Sequence, residues 1–275
     1  MTHSPSMQPL EVRNLIFATG PAVPRYWHGG RRSITRFFDN LSIFFPLGER
    51  FFVTSLRAHL YAVAHDPAML AAARDFCAQE GIHSREHRRY NAMLTEAGLP
   101  VAEMEARVDA ILRRVQRLPR RWQLSGTCAL EHFTALMGHI ILEDPRVLEG
   151  ADPTMAALWR WHAMEENEHK SVAFDVFTAA GGTYPERAGV MLFTTVIFWA
   201  KVIEHQVRLM AADGDLRSRD EWAALWRFLF VDPGGMGRLW RMWLAYFRPG
   251  FHPADVDSTA LLARWREALA TRPTT

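Results

Sequence analysis

Apolar residues recur every three to four positions along most of the chain, the period of an amphipathic helix, and almost nowhere alternate as a half-buried strand would. Helix punctuation divides this pattern. Asp66-Pro67 reads as an N-cap followed by the first residue of a helix that runs to Gly98, and Asp152-Pro153 opens one that ends at Gly181-Gly182. Pro46 is expected to open a helix over 46–64, after a helical segment at 31–45, and Pro185 a long helix to about Asp213. A helix at 101–117 ends before Pro119, another covers about 121–143, and three shorter ones follow Gly214, at 220–231, 235–247 and 257–270. Residues 1–30, rich in Pro and Gly, read as irregular. The pattern predicts an all-α chain with one helical domain over 31–275: a four-helix bundle over about 46–180 and additional helices over about 185–270.

Two of the long helices carry the same chemistry. The helix from Asp66 holds Glu80-Gly-Ile-His83, and the helix from Asp152 holds Glu166-Asn-Glu-His169. Residues three apart share a helical face, so each Glu-x-x-His pair presents a carboxylate and an imidazole together. One such pair on a helix carries little weight. Here each pair follows a helix with one conspicuous glutamate on its apolar face, Glu49 before the first and Glu131 before the second. Glu49 shares its face with Phe45, Phe52 and Leu56; Glu131 shares its face with Leu124, Cys128 and Ala135. Four carboxylates turned into a core need cations, because an unpaired buried charge costs several kcal/mol or gives up its ionisation. Two divalent ions balance them. Glu49, Glu80, His83, Glu131, Glu166 and His169 are therefore the expected metal ligands, in the arrangement of dimetal carboxylate bundles. Oxygen and imidazole donors without thiolate favour iron first, with manganese as the alternative.

Supporting residues follow from the same spacing. Metal-bound histidines usually donate their second N–H to a carboxylate or carbonyl. Glu165 is placed to serve His83 across the bundle, and Gln79 to serve His169. His162, four residues before Glu166, is a candidate extra ligand, opposed by Phe76 in the first half; His87 is a weaker candidate, with a hydrogen-bonded core histidine as the favoured reading. Tyr90 is either a redox-active phenol beside the metals or, as the favoured reading, a packing residue with a bonded hydroxyl. Small residues around Glu131 (Thr127, Cys128, Ala135, Gly138) suggest room for a substrate.

Composition trims the alternatives. With 275 residues, 49% hydrophobic, the chain can bury a sizeable core, and a net charge of +2 with dispersed arginines gives no nucleic-acid footprint. Cys77 and Cys128 form no CxxC pattern, which excludes a disulfide framework and a thiolate metal site and, with no signal-peptide pattern at the N-terminus, leads to the expectation of a cytoplasmic protein. The longest apolar run, Val190 to Ala200, is too short to span a bilayer and is expected to be a buried helix, with an apolar binding wall as the alternative. The Trp- and Arg-rich stretch after residue 220 is expected to pack on the bundle; a lid or a peripheral membrane contact is the less favoured reading.

Five segments resemble the family described as predicted metal-dependent hydrolases, a branch of the ferritin-like di-iron superfamily. They are SITRFFDNLSIFFPLGERFF (33–52), FCAQEGIHSREHRRYN (76–91), ALEHFTALMGHIIL (129–142), WRWHAMEENEHKSVAFDVF (159–177) and YFRPGFHP (246–253). The resemblance implies a ferritin-like bundle and metal at all six positions named above. The family's label does not fix the reaction. The expectation is a di-iron, dioxygen-dependent oxidation of a small apolar substrate, with two-metal hydrolysis as the alternative and iron storage third. The oligomeric state is not set by the sequence.

Overall fold

The computed structural model describes residues 10–270, and among these it is all-α. Ten helices run in order: α1 (Arg32–Arg57), α2 (Pro67–Glu96), α3 (Val101–Val115), α4 (Arg120–Glu143), α5 (Pro153–His169), α6 (Val172–Ala179), α7 (Tyr184–Ala212), α8 (Arg219–Phe230), α9 (Gly235–Ala245) and α10 (Thr259–Ala270). The one β-like feature among the described residues is an isolated bridge between His28 and Ala151. The capping signals act as read. Asp66 accepts from the backbone N–H groups of Ala68 and Met69, and Asp152 from those of Thr154 and Met155, each cap being worth about 1 kcal/mol.

Two boundaries differ from the sequence reading. Pro46 does not open a helix; it lies inside α1, which is continuous from Arg32 and stops at Arg57 rather than 64, with a short 3₁₀ turn at Leu60–Val63 beyond it. A proline has no N–H for the carbonyl four residues back. That carbonyl, of Ser42, instead accepts from Asn91 Nδ2 at 3.3 Å, so α2 replaces the hydrogen bond the helix loses, and Ser84 Oγ adds a further tie to the Pro46 carbonyl at 3.2 Å. The expected helix over 153–180 is interrupted at Lys170 and Ser171 into α5 and α6, with no Gly or Pro to mark the break. Lys170, the C-cap of α5, instead sends its ammonium to the Val256 carbonyl and to Ser258 Oγ, tying the break to the C-terminal segment.

α1 packs along α2 and α4 along α5; α1 also meets α4, and α2 meets α5 and α6. These elements surround a core that runs from Phe17 and Trp27 in the irregular N-terminal segment to Tyr246 and Phe251. Gly138 sets the spacing between α4 and α5: a Cβ there would come within 2.9 Å of the Ala163 carbonyl oxygen and 3.0 Å of Asn167 Nδ2. This glycine is therefore consumed by helix packing, and the room expected for a substrate beside Glu131 is not left there. An apolar cavity of about 60 Å³ lies instead between α1, α4, α8 and α9, lined by Phe37, Leu41, Met137, Phe228, Met236 and Leu239 among others. The Val190–Ala200 stretch is also corrected. It is part of the 29-residue α7, long and apolar enough by length and composition to cross a membrane, and only one face of it is buried: Met191 and Thr195 face the core, whereas Leu192, Phe193 and Val196 are exposed.

Candidate metal centre

Each element contributes from its inward face. α1 brings Glu49, α2 brings Glu80 and His83, α4 brings Glu131, and α5 brings Glu166 and His169; none of the six is more than 2% exposed. His169 Nε2 lies 3.1 Å from Glu80 Oε1, 3.3 Å from Glu131 Oε2 and 3.5 Å from Glu166 Oε2. His83 Nδ1 lies 3.9 Å from Glu80 Oε1 and 3.8 Å from Glu166 Oε1. Glu80 and Glu166 thus stand between the two histidines. Three triads have donor atoms within 4.8 Å of one another: Glu49, His83 and His162; Glu80, Glu131 and His169; and Glu80, His83 and Glu166.

Close approach here is not hydrogen bonding. Both oxygens of Glu49, Glu80 and Glu131, together with His83 Nδ1 and His169 Nε2, are buried without a hydrogen-bond partner. Eight orphaned donor atoms in one place would be a heavy penalty for a protein that left them so. They converge on shared space rather than on each other, as a set of metal ligands does, and their chemistry fits hard or borderline divalent ions.

The charges respond to that crowding. Burial, then the neighbouring carboxylates Glu80, Glu166 and Glu131, holds the Glu49 carboxyl well above its usual range; burial and Glu131 do the same to Glu80. Glu131 is pushed up to about 7 by burial and Glu166. Glu166 goes the other way: burial opposes its ionisation, but the His162 imidazole hydrogen-bonded to Oε1 and the His169 imidazole beside Oε2 hold it well below the usual 4.5. Burial, then the nearby His162, keeps His83 neutral far into the acid range.

A surrounding layer of hydrogen bonds orients the donors. Glu165 Oε2 accepts from His83 Nε2 at 2.9 Å, which leaves His83 Nδ1 bare toward the centre. Gln79 Oε1 accepts from His169 Nδ1 at 3.0 Å, which leaves Nε2 bare. A third histidine is fixed by a longer chain. Ser42 Oγ donates to Asn91 Oδ1 at 2.8 Å, so it accepts from His87 Nδ1 at 2.9 Å. His87 Nε2 is then an acceptor for His162 Nδ1 at 2.6 Å. His162 Nε2 faces the centre at hydrogen-bond distance, 2.7 Å, from Glu166 Oε1 and lies 4.0 Å from Glu49 Oε1. The structure thus places His87 behind His162, not at the centre itself. Tyr90 is also away from it: its hydroxyl donates to Asp39 Oδ1 at 2.5 Å, and its ring packs near Trp27 and Trp159.

Sequence reading missed the N-terminal segment's part. Arg13 donates to Glu165 Oε1 at 3.2 Å and holds both oxygens of Glu168, at 2.7 and 3.0 Å. The Glu11 carbonyl accepts from Gln79 Nε2 at 3.0 Å. Residues 11–13 therefore tie down both groups that orient the two Glu-x-x-His histidines. No spacing in an irregular segment signals this. Trp161, whose Nε1 donates to Glu165 Oε1 at 2.9 Å, was legible as the residue one turn earlier on the same helix.

The fold and the centre together define an all-α protein with buried carboxylate and histidine groups able to hold metal ions. The chain matches the family of predicted metal-dependent hydrolases over residues 11–257, which contains every residue of the centre, and it belongs to that family. No curated protein and no solved structure matches it.

Proposed function

We propose that the chain is a binuclear metal enzyme on a ferritin-like bundle. Two ions, iron first and manganese as the alternative, are held by Glu49, Glu80, His83, Glu131, Glu166 and His169, with His162 as a seventh donor. The reaction is a dioxygen-dependent oxidation of a small, mostly apolar substrate. The observation that carries the reading is the set of eight buried, unpartnered donor atoms clustered around one shared space. Two divalent ions would bring four positive charges to four carboxylates and neutral imidazoles.

When bound, redox-active ions would exchange electrons with dioxygen, whereas redox-inert ones would act only as Lewis acids. The chain's own residues set the terms. Glu80 and Glu166 stand where a carboxylate can serve both sides of the centre. Glu165, Gln79 and His87 fix which nitrogen of each histidine faces inward. Thr134 Oγ1 donates to Glu166 Oε2 and restrains that carboxylate. Phe45 and Trp159 pack on His162 and exclude water from that side. The apolar cavity shares Phe38 with an edge-to-face contact to Trp159, so an apolar group seated there would lie two aromatic side chains, Phe38 and Trp159, from His162.

Two-metal hydrolysis is the second reading, favoured by the family's description. Metal swapping separates the two. Apo protein is loaded with Zn²⁺ or Fe²⁺, and substrates are screened with and without dioxygen. Turnover by the iron form only in air supports oxidation; full anaerobic activity of the zinc form overturns it in favour of hydrolysis.

A further inference from the structure

α7 packs on α1 and α4 through Met191, Thr195, Val202, Gln206 and Leu209, and its opposite face is apolar and bare. Phe193, Val196, Ala200, Ile203 and Val207 are all exposed, Phe193 by 60%, Val196 by 68% and Ile203 by 64%. They are spaced three, four, three and four residues apart. That is the three–four spacing of a helix face that packs against another apolar element, a partner helix included. Leu192 widens the stripe. Trp240 and Leu244 of α9 extend it, since Trp240 packs beside Trp199 and Trp243 Nε1 donates to Thr195 Oγ1.

We propose that this surface is the dimer interface of the protein, with α7 of one copy packed along α7 of a second. The stripe and its extension expose roughly 800 Å² of mostly apolar surface, about what each partner buries in a standard-size interface. Ala200 at mid-stripe allows close approach of the two helix backbones. Charge favours a second copy over a lipid surface. The row one residue further round the helix is Lys201, Glu204 and Arg208, and its cations are already paired, Lys201 and Arg208 with Glu204, and Arg208 also with Glu103 of α3; at the α9 edge, Arg241 beside Trp240 is exposed without an ion pair among the described residues. A membrane-docking face would instead offer unpaired cations to anionic headgroups.

Sedimentation of the full chain, as purified with its metals, tests this. Wild type should have twice the 31.5 kDa chain mass at about micromolar concentration. Val196→Glu and Ile203→Glu should each weaken the dimer more than about a hundredfold, because each would bury a carboxylate twice in an apolar seam. Both side chains point to solvent in a single copy, so helical circular dichroism and metal content should not change; Val196→Ser gives a milder variant with the same expected direction. A wild-type monomer at about 100 μM, or a dimer indifferent to all three substitutions, overturns the proposal. So does flotation of wild type, but not Val196→Glu, with phosphatidylglycerol–phosphatidylcholine vesicles, which would assign the face to a membrane.

Discussion

α2 and α5 carry the same Glu-x-x-His spacing, yet they are built differently around it. In α2, His83 turns Nδ1 inward and is held from behind by the carboxylate of Glu165, which is itself gripped by Trp161 and Arg13. In α5, His169 turns Nε2 inward and is held by the neutral amide of Gln79. One turn before each glutamate the contrast repeats: His162 precedes Glu166, whereas Phe76 precedes Glu80 and packs edge-on against His169. Repeated spacing has thus produced two unequal half-sites. One is rich in nitrogen donors and backed by charge, the other rich in oxygen donors and backed by a dipole. Two ions bound here would differ in affinity.

The largest effect should come from the glutamate both halves share. Glu166→Ala removes the group that faces His83, His162 and His169 together, and metal analysis should show both ions lost. Retention of wild-type metal content would break the comparison, since Glu166 would then serve neither half.

Next are the orienting groups, whose removal from metal sites typically costs about 10–100-fold in affinity. Arg13→Met should release Glu165 and weaken the His83 half; Gln79→Leu should weaken the His169 half. Metal titration followed by calorimetry should show a different one of two binding steps displaced in each variant. If both variants displace the same step, the halves are not independent.

A smaller effect concerns pH in the metal-free protein. The folded-state pKa of Glu131 is about 7 against a usual 4.5, so between those values the folded chain holds a proton that the unfolded chain has released. That contribution to stability is complete below pH 4.5 and is lost as pH rises through 7. Apo Glu131→Gln does not titrate there, and its melting temperature should gain on apo wild type as pH rises from 4.5 to 7. A constant or narrowing gain would show that Glu131 is not the proton holder.

Smallest for the metals is Tyr90→Phe. It deletes the hydrogen bond to Asp39, which also accepts from Trp27 Nε1 and pairs with Arg36. Denaturation should show a loss of about 1.5–3 kcal/mol, the usual worth of a hydrogen bond to a charged group, with metal content unchanged.

Helical period and proline or glycine punctuation made most elements legible, because both act locally. The groups that converge at the centre were legible for the same reason: a carboxylate on an apolar helical face has few physical excuses. What escaped was decided across the fold. Pro46 signals a helix start in any local reading, and only Asn91 and Ser84, forty residues on, make it tolerable mid-helix. Arg13 sits in a segment without periodicity, and its partners lie about 150 residues away. Gly138 read as free space because the sequence does not show that α5 fills it. The exposure of α7 was hidden because an apolar run looks the same whether it faces the core or an outside partner.

Pro46 gives the α2 half a property of its own. By silencing one N–H in α1, it frees the Ser42 carbonyl, and Asn91 occupies that acceptor while taking the Ser42 hydroxyl proton with its own oxygen. Because Asn91 is pinned in this way, the hydroxyl can point in only one direction, and that direction propagates through His87 to the ring of His162, whose Nε2 faces Glu166. A missing backbone hydrogen thus acts as an instruction, read three side chains away, for which way an imidazole must face.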